Sequence, residues 1–187
     1  RRTIRLQCAP SLWPTSMLNN NQTDIEASFG TTQTQEVRLP YFDHLLAALK
    51  TGNLAVEKSF GRHVHWGYWE HPKQATLTAD DFALAAENLT RQVCLAGQIK
   101  DNQHVLDVGC GFGGTIAHLN ENYKGMNLVG VNLDDRQLAR AREIVKPASN
   151  NTIEFKQANA CALPLPDASF DVVLAVECIF QDRKSVV

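Results

Sequence analysis

Between Val105 and Gly114 the chain reads VLDVGCGFGG, an apolar run that holds a carboxylate and ends in four glycines within six positions. Glycine loses more backbone freedom on folding than any other residue, so the cluster is unfavourable unless the main chain turns sharply or meets another molecule closely. Asp107 adds a second demand. A carboxylate at the end of a buried strand has to bond backbone amides of the turn or meet a ligand. Both demands fit a parallel strand that turns at its carboxyl end into a helix, where open α/β sheets bind their ligands.

The flanking sequence follows the same grammar. HVLDVG, NLVGVN, TIEFKQ and FDVVLAVE read as short strands, with helices over Thr115–Tyr123 and Asp135–Val145 between the first three. Strands separated by single helices imply a parallel sheet covered by helices on both faces. The Val- and Leu-rich first, second and fourth strands suit burial on both sides. Upstream, PYFDHLLAALKTG places Phe42, Leu45, Leu46 and Leu49 on one helical face, with Gly52 as a stop. A longer helix begins near Thr78, where Asp81 three residues on makes a capping-box-like start, and its apolar stripe reads Phe82, Ala86, Leu89 and Val93.

Glycines at 109, 111 and 114 also satisfy G-x-G-x-x-G, so a Rossmann-type NAD(P)-dependent oxidoreductase is a rival reading. Asp107 counts against it. A fixed negative charge beside the turn repels a pyrophosphate and attracts an ammonium or sulfonium.

VLDVGCGFGG resembles the first motif of class I S-adenosylmethionine-dependent methyltransferases, D-x-G-x-G-x-G. LVGVNLDDRQLARAR is similar to their second strand and its helix, and ANACALPLPDASFDVVLAVE to their adenine-side loop and fourth strand. Three ordered motifs over about residues 60–181 are more specific than a lone glycine loop. The resemblance implies a Rossmann-like α/β fold with an N-terminal helical cap, S-adenosyl-L-methionine as cofactor, and a small-molecule acceptor methylated on O, N or C. Asp107 and the turn Gly109, Cys110 and Gly111 would then cradle the methionine half. Asn132, standing where many relatives have an acidic residue, would take the ribose hydroxyls without charge assistance. Asn132 together with Gln137 is similar to a subgroup acting on tocopherol-type quinols, sarcosine and dimethylglycine, and natural-product sugars, which also includes cyclopropane fatty-acid synthases. Leu133 and Cys161 would pack on the adenine, with Asn159 and Ala160 at its edge. Glu177 would complete the cofactor site, and Cys178 would face the substrate.

RHVHWGYWEHP concentrates histidines and aromatics before the long helix. It is similar to an H-x-G-Y-W segment that folds over the methyl donor in the same subgroup. His65 and Tyr68 are then the catalytic candidates, and Trp66 the substrate contact. Aromatic faces suit a sulfonium, a lid keeps water out, and a near-neutral imidazole can act as a base. His63, His65 and His71 lack a carboxylate or cysteine at ligand spacing, so no metal centre is expected.

Composition narrows the remaining classes. A net charge of −2 without a basic stripe argues against a nucleic-acid partner. Five cysteines without a C-x-x-C pair suit reduced thiols in the cytoplasm, and no apolar run reaches the roughly 18 residues of a membrane span. The expected organisation is a poorly ordered arm over 1–38, a helical and aromatic cap over 39–75, and a cofactor-binding core over 76–181. A foreign tail is expected over 182–187. Relatives continue past AVECIF with a helix and three more strands, so the expectation is a fragment, incomplete at its C-terminus and inactive by itself. A noncatalytic cofactor-binding module remains the third reading.

Overall fold

The computed structural model describes residues 40–178. The expected arm over 1–38 and tail over 182–187 lie outside the described residues. Among them, strands β1 (His104–Val108), β2 (Asn127–Asn132), β3 (Thr152–Gln157) and β4 (Val172–Leu174) form one parallel sheet in the order β3-β2-β1-β4. The chain steps outward from β1 to β3 and then returns to place β4 on the other side of β1. This reversal opens a crevice between the carboxyl ends of β1 and β4.

Flanked on both sides, β1 buries Val105, Leu106 and Asp107 together. Helix α4 (Gly114–Asn122) packs on β2, while α5 (Asp135–Ile144) packs on β2 and β3. Ile116 and Leu119 are fully buried with Val105, Met126 and Leu128 in the main core cluster. Strand β4 is shorter than the FDVVLAVE run, and Val173 stands 59% exposed. Burial on both sides is therefore wrong for this strand. Among the described residues it pairs with β1 alone, which leaves its outer edge uncovered.

Two helices precede the aromatic segment. Helix α1 (Pro40–Lys50) buries Phe42 and Leu45, with Leu46 and Leu49 half-buried, so the expected face is the buried one. Helix α2 (Leu54–Phe60) carries no clear apolar period. Asn53 starts it, its side-chain oxygen accepting from the amides of Ala55 and Val56. Helix α3 (Ala79–Ala96) begins as expected at Thr78, whose hydroxyl accepts from Asp81 N. Asp81 instead takes the amides of Thr76 and Leu77 and the indole N–H of Trp69. The buried line of α3 runs through Ala86, Thr90 and Cys94, with Ala85 beside it. Phe82, Leu89 and Val93 are only partly buried. Small residues face the core because α3 lies close to the main chain of its neighbours: a Cβ on Gly67 would sit 2.4 Å from Ala85 Cβ.

Helix α5 staples this cap. Arg136 Nη1 donates to Asp43 on α1 at 2.7 Å, and Arg140, one turn later, donates to Gly61 O and to Glu57 Oε1. The Arg140 guanidinium also lies 5.3 Å from the Phe112 ring centroid. The Arg136 pair is exposed and contributes little, whereas Arg140 is largely buried. Arg140→Ala is expected to lower stability by about 1.5–3 kcal/mol, read from the urea midpoint. Arg140→Lys, which keeps the charge without the fork, is expected to recover less than half of that loss.

Candidate functional site

The turn after β1 works as a sequence of close approaches. Gly109 has φ +71°, and a Cβ there would lie 2.5 Å from Cys178 Cβ; Gly111 has φ +55°, with Val64 Cγ2 at 2.3 Å from the corresponding point. The backbone between them borders an open cleft of about 1070 Å³, counted out to its mouth. Its floor is the β1 turn. Asn132, Leu133, Gln137 and Ala160 line it on the β2 side, Val176, Glu177 and Cys178 on the β4 side, and Phe42 with the segment Arg62–His65 from the cap.

Asp107 reaches this cleft from a fully buried position. Thr115 hydrogen-bonds its carboxyl, while Oδ2 has no hydrogen-bond partner among the described residues. Burial pushes its pKa up to about 7, with Thr115 opposing. A buried polar atom without a partner is expensive, so an orphaned oxygen aimed at a cleft marks a place for a donor. Asp107 and the glycine turn line one cleft.

Asn132 and Gln137 are also brought together. Asn132 Nδ2 donates to Gln137 Oε1 at 3.2 Å, and Gln137 is buried beneath it. The pair presents amide groups at the end of β2, and Asp134 beside them caps α5 and binds Arg136. Leu133 and Ala160 line the same side.

Other candidates stand elsewhere. Asn159 is exposed and outside the cleft lining. Its side-chain oxygen accepts from Cys161 N, which makes it a turn residue in this conformation. Cys161 is exposed and likewise outside the lining. Trp66 (69% exposed) and Tyr68 (42% exposed) do not line the cleft. The Tyr68 amide donates to Ala85 O, and the Trp66 ring meets Phe82 edge-on, so α3 holds both residues outside the lining. Burial pushes Cys110 well up, so this buried thiol stays protonated at neutral pH.

His65 lines the cleft, yet both ring nitrogens are engaged. Nδ1 donates to Trp66 O at 2.8 Å, and Nε2 lies 3.1 Å from the Thr90 hydroxyl. Burial lowers its pKa to about 4, against the opposing hydrogen bond to Trp66 O, so the ring is neutral at pH 7. Glu177, in left-handed backbone at φ +52°, accepts the Trp66 amide at 2.8 Å and so ties the end of β4 to the cap segment.

Sequence reasoning missed Phe42, Arg62, Val64, Thr115 and Asp134 as cleft residues, and read His63 only as a metal candidate. Thr115 stands immediately after the glycines, a spacing that offered the one local signal. The His63 and His65 rings lie 4.8 Å apart between centroids, tilted by 55°, while His71 is exposed and outside the cleft. No group of three or more metal-ligating side chains gathers among the described residues. No described helix is long and apolar enough to cross a membrane.

Comparison with known proteins agrees with this geometry. Residues 105–186 match a family described as a methyltransferase domain. Over 125 residues the chain is 34% identical to an O-methyltransferase of Pyrenophora dematioidea, covering 65% of this chain and 45% of that protein. Over 140 residues it is 31% identical to norajmaline N-methyltransferase of Rauvolfia serpentina, covering 71% and 47%. The 2-methyl-6-phytyl-1,4-hydroquinone methyltransferase of Synechocystis is 34% identical, with 65% and 37% covered. The chain spans about half the length of the curated relatives it matches. Among solved structures, the [4+2]-cyclase SpnF superposes with a TM-score of 0.56 at 23% identity, covering 70% of this chain and 46% of that one. The mycolic acid cyclopropane synthase CmaA1 gives 0.50 at 21% identity, covering 62% and 39%. These two share the fold.

Proposed function

The chain belongs, through residues 105–186, to the methyltransferase-domain family of class I S-adenosylmethionine-dependent enzymes, and from that premise we propose that its cleft binds S-adenosylmethionine for methyl transfer to a small-molecule acceptor. The observation that carries this reading is the orphaned Asp107 Oδ2, buried beside a glycine turn whose backbone can approach a ligand. A primary ammonium answers it; a pyrophosphate does not.

The residues present fit the cofactor. Asp107 would hold the amino group of the methionine half, with the backbone from Gly109 to Gly111 along its chain. The Asn132 and Gln137 amides would exchange hydrogen bonds with the ribose hydroxyls, and Leu133 would pack on the adenine. The chemistry supplied by bound S-adenosylmethionine is a methyl group activated on a sulfonium for in-line displacement. The protein's share is alignment and the exclusion of water. His65, neutral and tied to Thr90 and Trp66 O, contributes position, not a basic nitrogen. O- and N-methyltransferases both stand among the relatives, which supports a small acceptor without choosing its nucleophile.

Titration calorimetry tests the reading. S-adenosylmethionine and S-adenosylhomocysteine are expected to bind with one-to-one stoichiometry, and NADH to give no heat. Binding of NADH in place of either would establish the oxidoreductase reading. Donor binding by the parent protein, without transfer of labelled methyl to any phenol, amine, sugar or unsaturated lipid, would leave a noncatalytic module.

A further inference from the structure

Beneath the cap segment, one carboxylate on α3 gathers two buried imidazoles. Glu87 Oε2 lies 2.7 Å from His63 Nε2 and Oε1 2.5 Å from His118 Nδ1, with both histidines under a tenth exposed. Arg62 Nε stands 3.3 Å from Glu87 Oε2, a charge contact, while its guanidinium nitrogens donate to both oxygens of Glu121 on α4. Burial alone would raise the Glu87 carboxyl, but hydrogen bonds from His118 and His63, with the Arg62 charge behind them, hold it well below the usual carboxylate range.

An ionised Glu87 only accepts, so it dictates the proton positions. His63 carries its proton on Nε2 and His118 on Nδ1. The Thr90 hydroxyl, fully buried, lies 3.1 Å from His65 Nε2 and 3.4 Å from His63 Nδ1. His65 Nδ1 must donate to the Trp66 carbonyl, so its Nε2 accepts from Thr90. The Thr90 hydroxyl has one proton to give, so with that bond made it does not also donate to His63 Nδ1, and the Trp66 carbonyl, not Glu87, sets the His65 tautomer. His63 also covers Gly114, where a Cβ would meet Nδ1 at 2.3 Å. Ring and helix start therefore fit in one orientation. His63 and His65 both line the cleft, whereas Glu87 and His118 do not.

Packing alone does not call for this arrangement, since apolar residues of similar volume are often at least as stable as a polar cluster held away from water. We propose that Glu87 is a positioning residue of the cleft: it fixes the ring orientation of His63, which packs against the His65 ring, and so holds the Arg62–Trp66 wall in register with the methyl donor. This role rests on the reading of the cleft as a methyl-donor site.

The test uses S-adenosylhomocysteine as calorimetric probe and ring-nitrogen NMR of 15N-histidine-labelled chain. Glu87→Gln keeps the shape but cannot accept from both histidines with one oxygen. It is expected to shift the His63 ring resonances and to weaken binding by about tenfold or more, with far-UV circular dichroism unchanged. His118→Gln leaves the Glu87–His63 bond in place and is expected to bind within about threefold of the unsubstituted chain. Unchanged affinity in Glu87→Gln, or equal weakening by His118→Gln, overturns the role. Should Glu87→Gln fail to fold, His63→Phe removes the bond to Glu87 while keeping the ring volume, and unchanged binding there overturns it as well. Failure of the unsubstituted chain to bind the probe would remove the cleft assignment and this role together. Binding by that chain with a silent Glu87→Gln would remove this role alone.

Discussion

Asp107→Asn is expected to abolish calorimetric binding of S-adenosylmethionine while making the unliganded chain more stable above pH 7. Both effects come from one buried oxygen. Asp107 Oδ2 has no hydrogen-bond partner among the described residues, and burial has pushed the carboxyl up to about 7. The folded-state pKa lies above the unfolded value, so the contribution to stability is full below about pH 4 and is lost as pH rises through about 7. Asparagine carries no charge to desolvate. The melting temperatures of the two proteins should coincide near pH 4 and separate by pH 8, with the variant higher. Binding should show the opposite linkage. A cationic amino group favours ionised Asp107, so affinity should rise between pH 5 and 8, and binding near pH 6 should release protons to buffer. For the loss in Asp107→Asn we expect about a hundredfold or more, since a buried charge-assisted contact is removed. Undiminished affinity in the variant would refute the assignment of the cleft, and a flat pH profile of the melting temperature would refute the burial argument.

Gly111→Ala is expected to be strongly destabilising. At φ +55° alanine is strained, and its Cβ would meet Val64 Cγ2 at 2.3 Å. Valine cannot swing aside easily because its χ1 is restricted. Strain of about 1–2 kcal/mol and overpacking of about 1–3 kcal/mol together predict a loss of about 2–5 kcal/mol, with cofactor binding lost as the cap lifts. The two parts can be separated. Adding Val64→Ala should relieve the overpacking and leave the backbone strain, so the double variant should be more stable than Gly111→Ala alone. A double variant no more stable than the single one would show that Val64 is not the obstacle.

How far the sequence was legible depends on the range of the interactions. Strands β1, β2 and β3 and helices α4 and α5 were readable to within a residue or so because period, glycine and proline are local signals. Strand β4 was overestimated: of FDVVLAVE only Val172–Leu174 is strand, paired with β1 alone among the described residues. The stripe of α3 was placed on Phe82, Ala86, Leu89 and Val93; of these Ala86 is buried, and close approach of other main chain selected Thr90 and Cys94 in place of the large residues. Asp107, Gly109, Gly111, Asn132 and Gln137 line one cleft, and their nearness was legible because one glycine turn and one strand end with its helix carry them. Trp66 and Tyr68 were misplaced because residue type cannot say which side of α3 a ring will occupy. His65 lines the cleft, and the low pKa that keeps it neutral comes first from burial, which no local signal in the sequence reveals.

What the sequence determined by itself was the parallel sheet, the glycine turn and the carboxylate at its edge, because each is encoded in consecutive residues whose backbone preferences are intrinsic. Only the tertiary structure decided which groups share the cleft, how Glu87 sets the protons of His63 and His118, and that Asp107 Oδ2 is left without a donor. Those outcomes depend on distances and desolvation between segments far apart in the chain, and electrostatic energies inside a protein are fixed by such distances and not by order along the backbone.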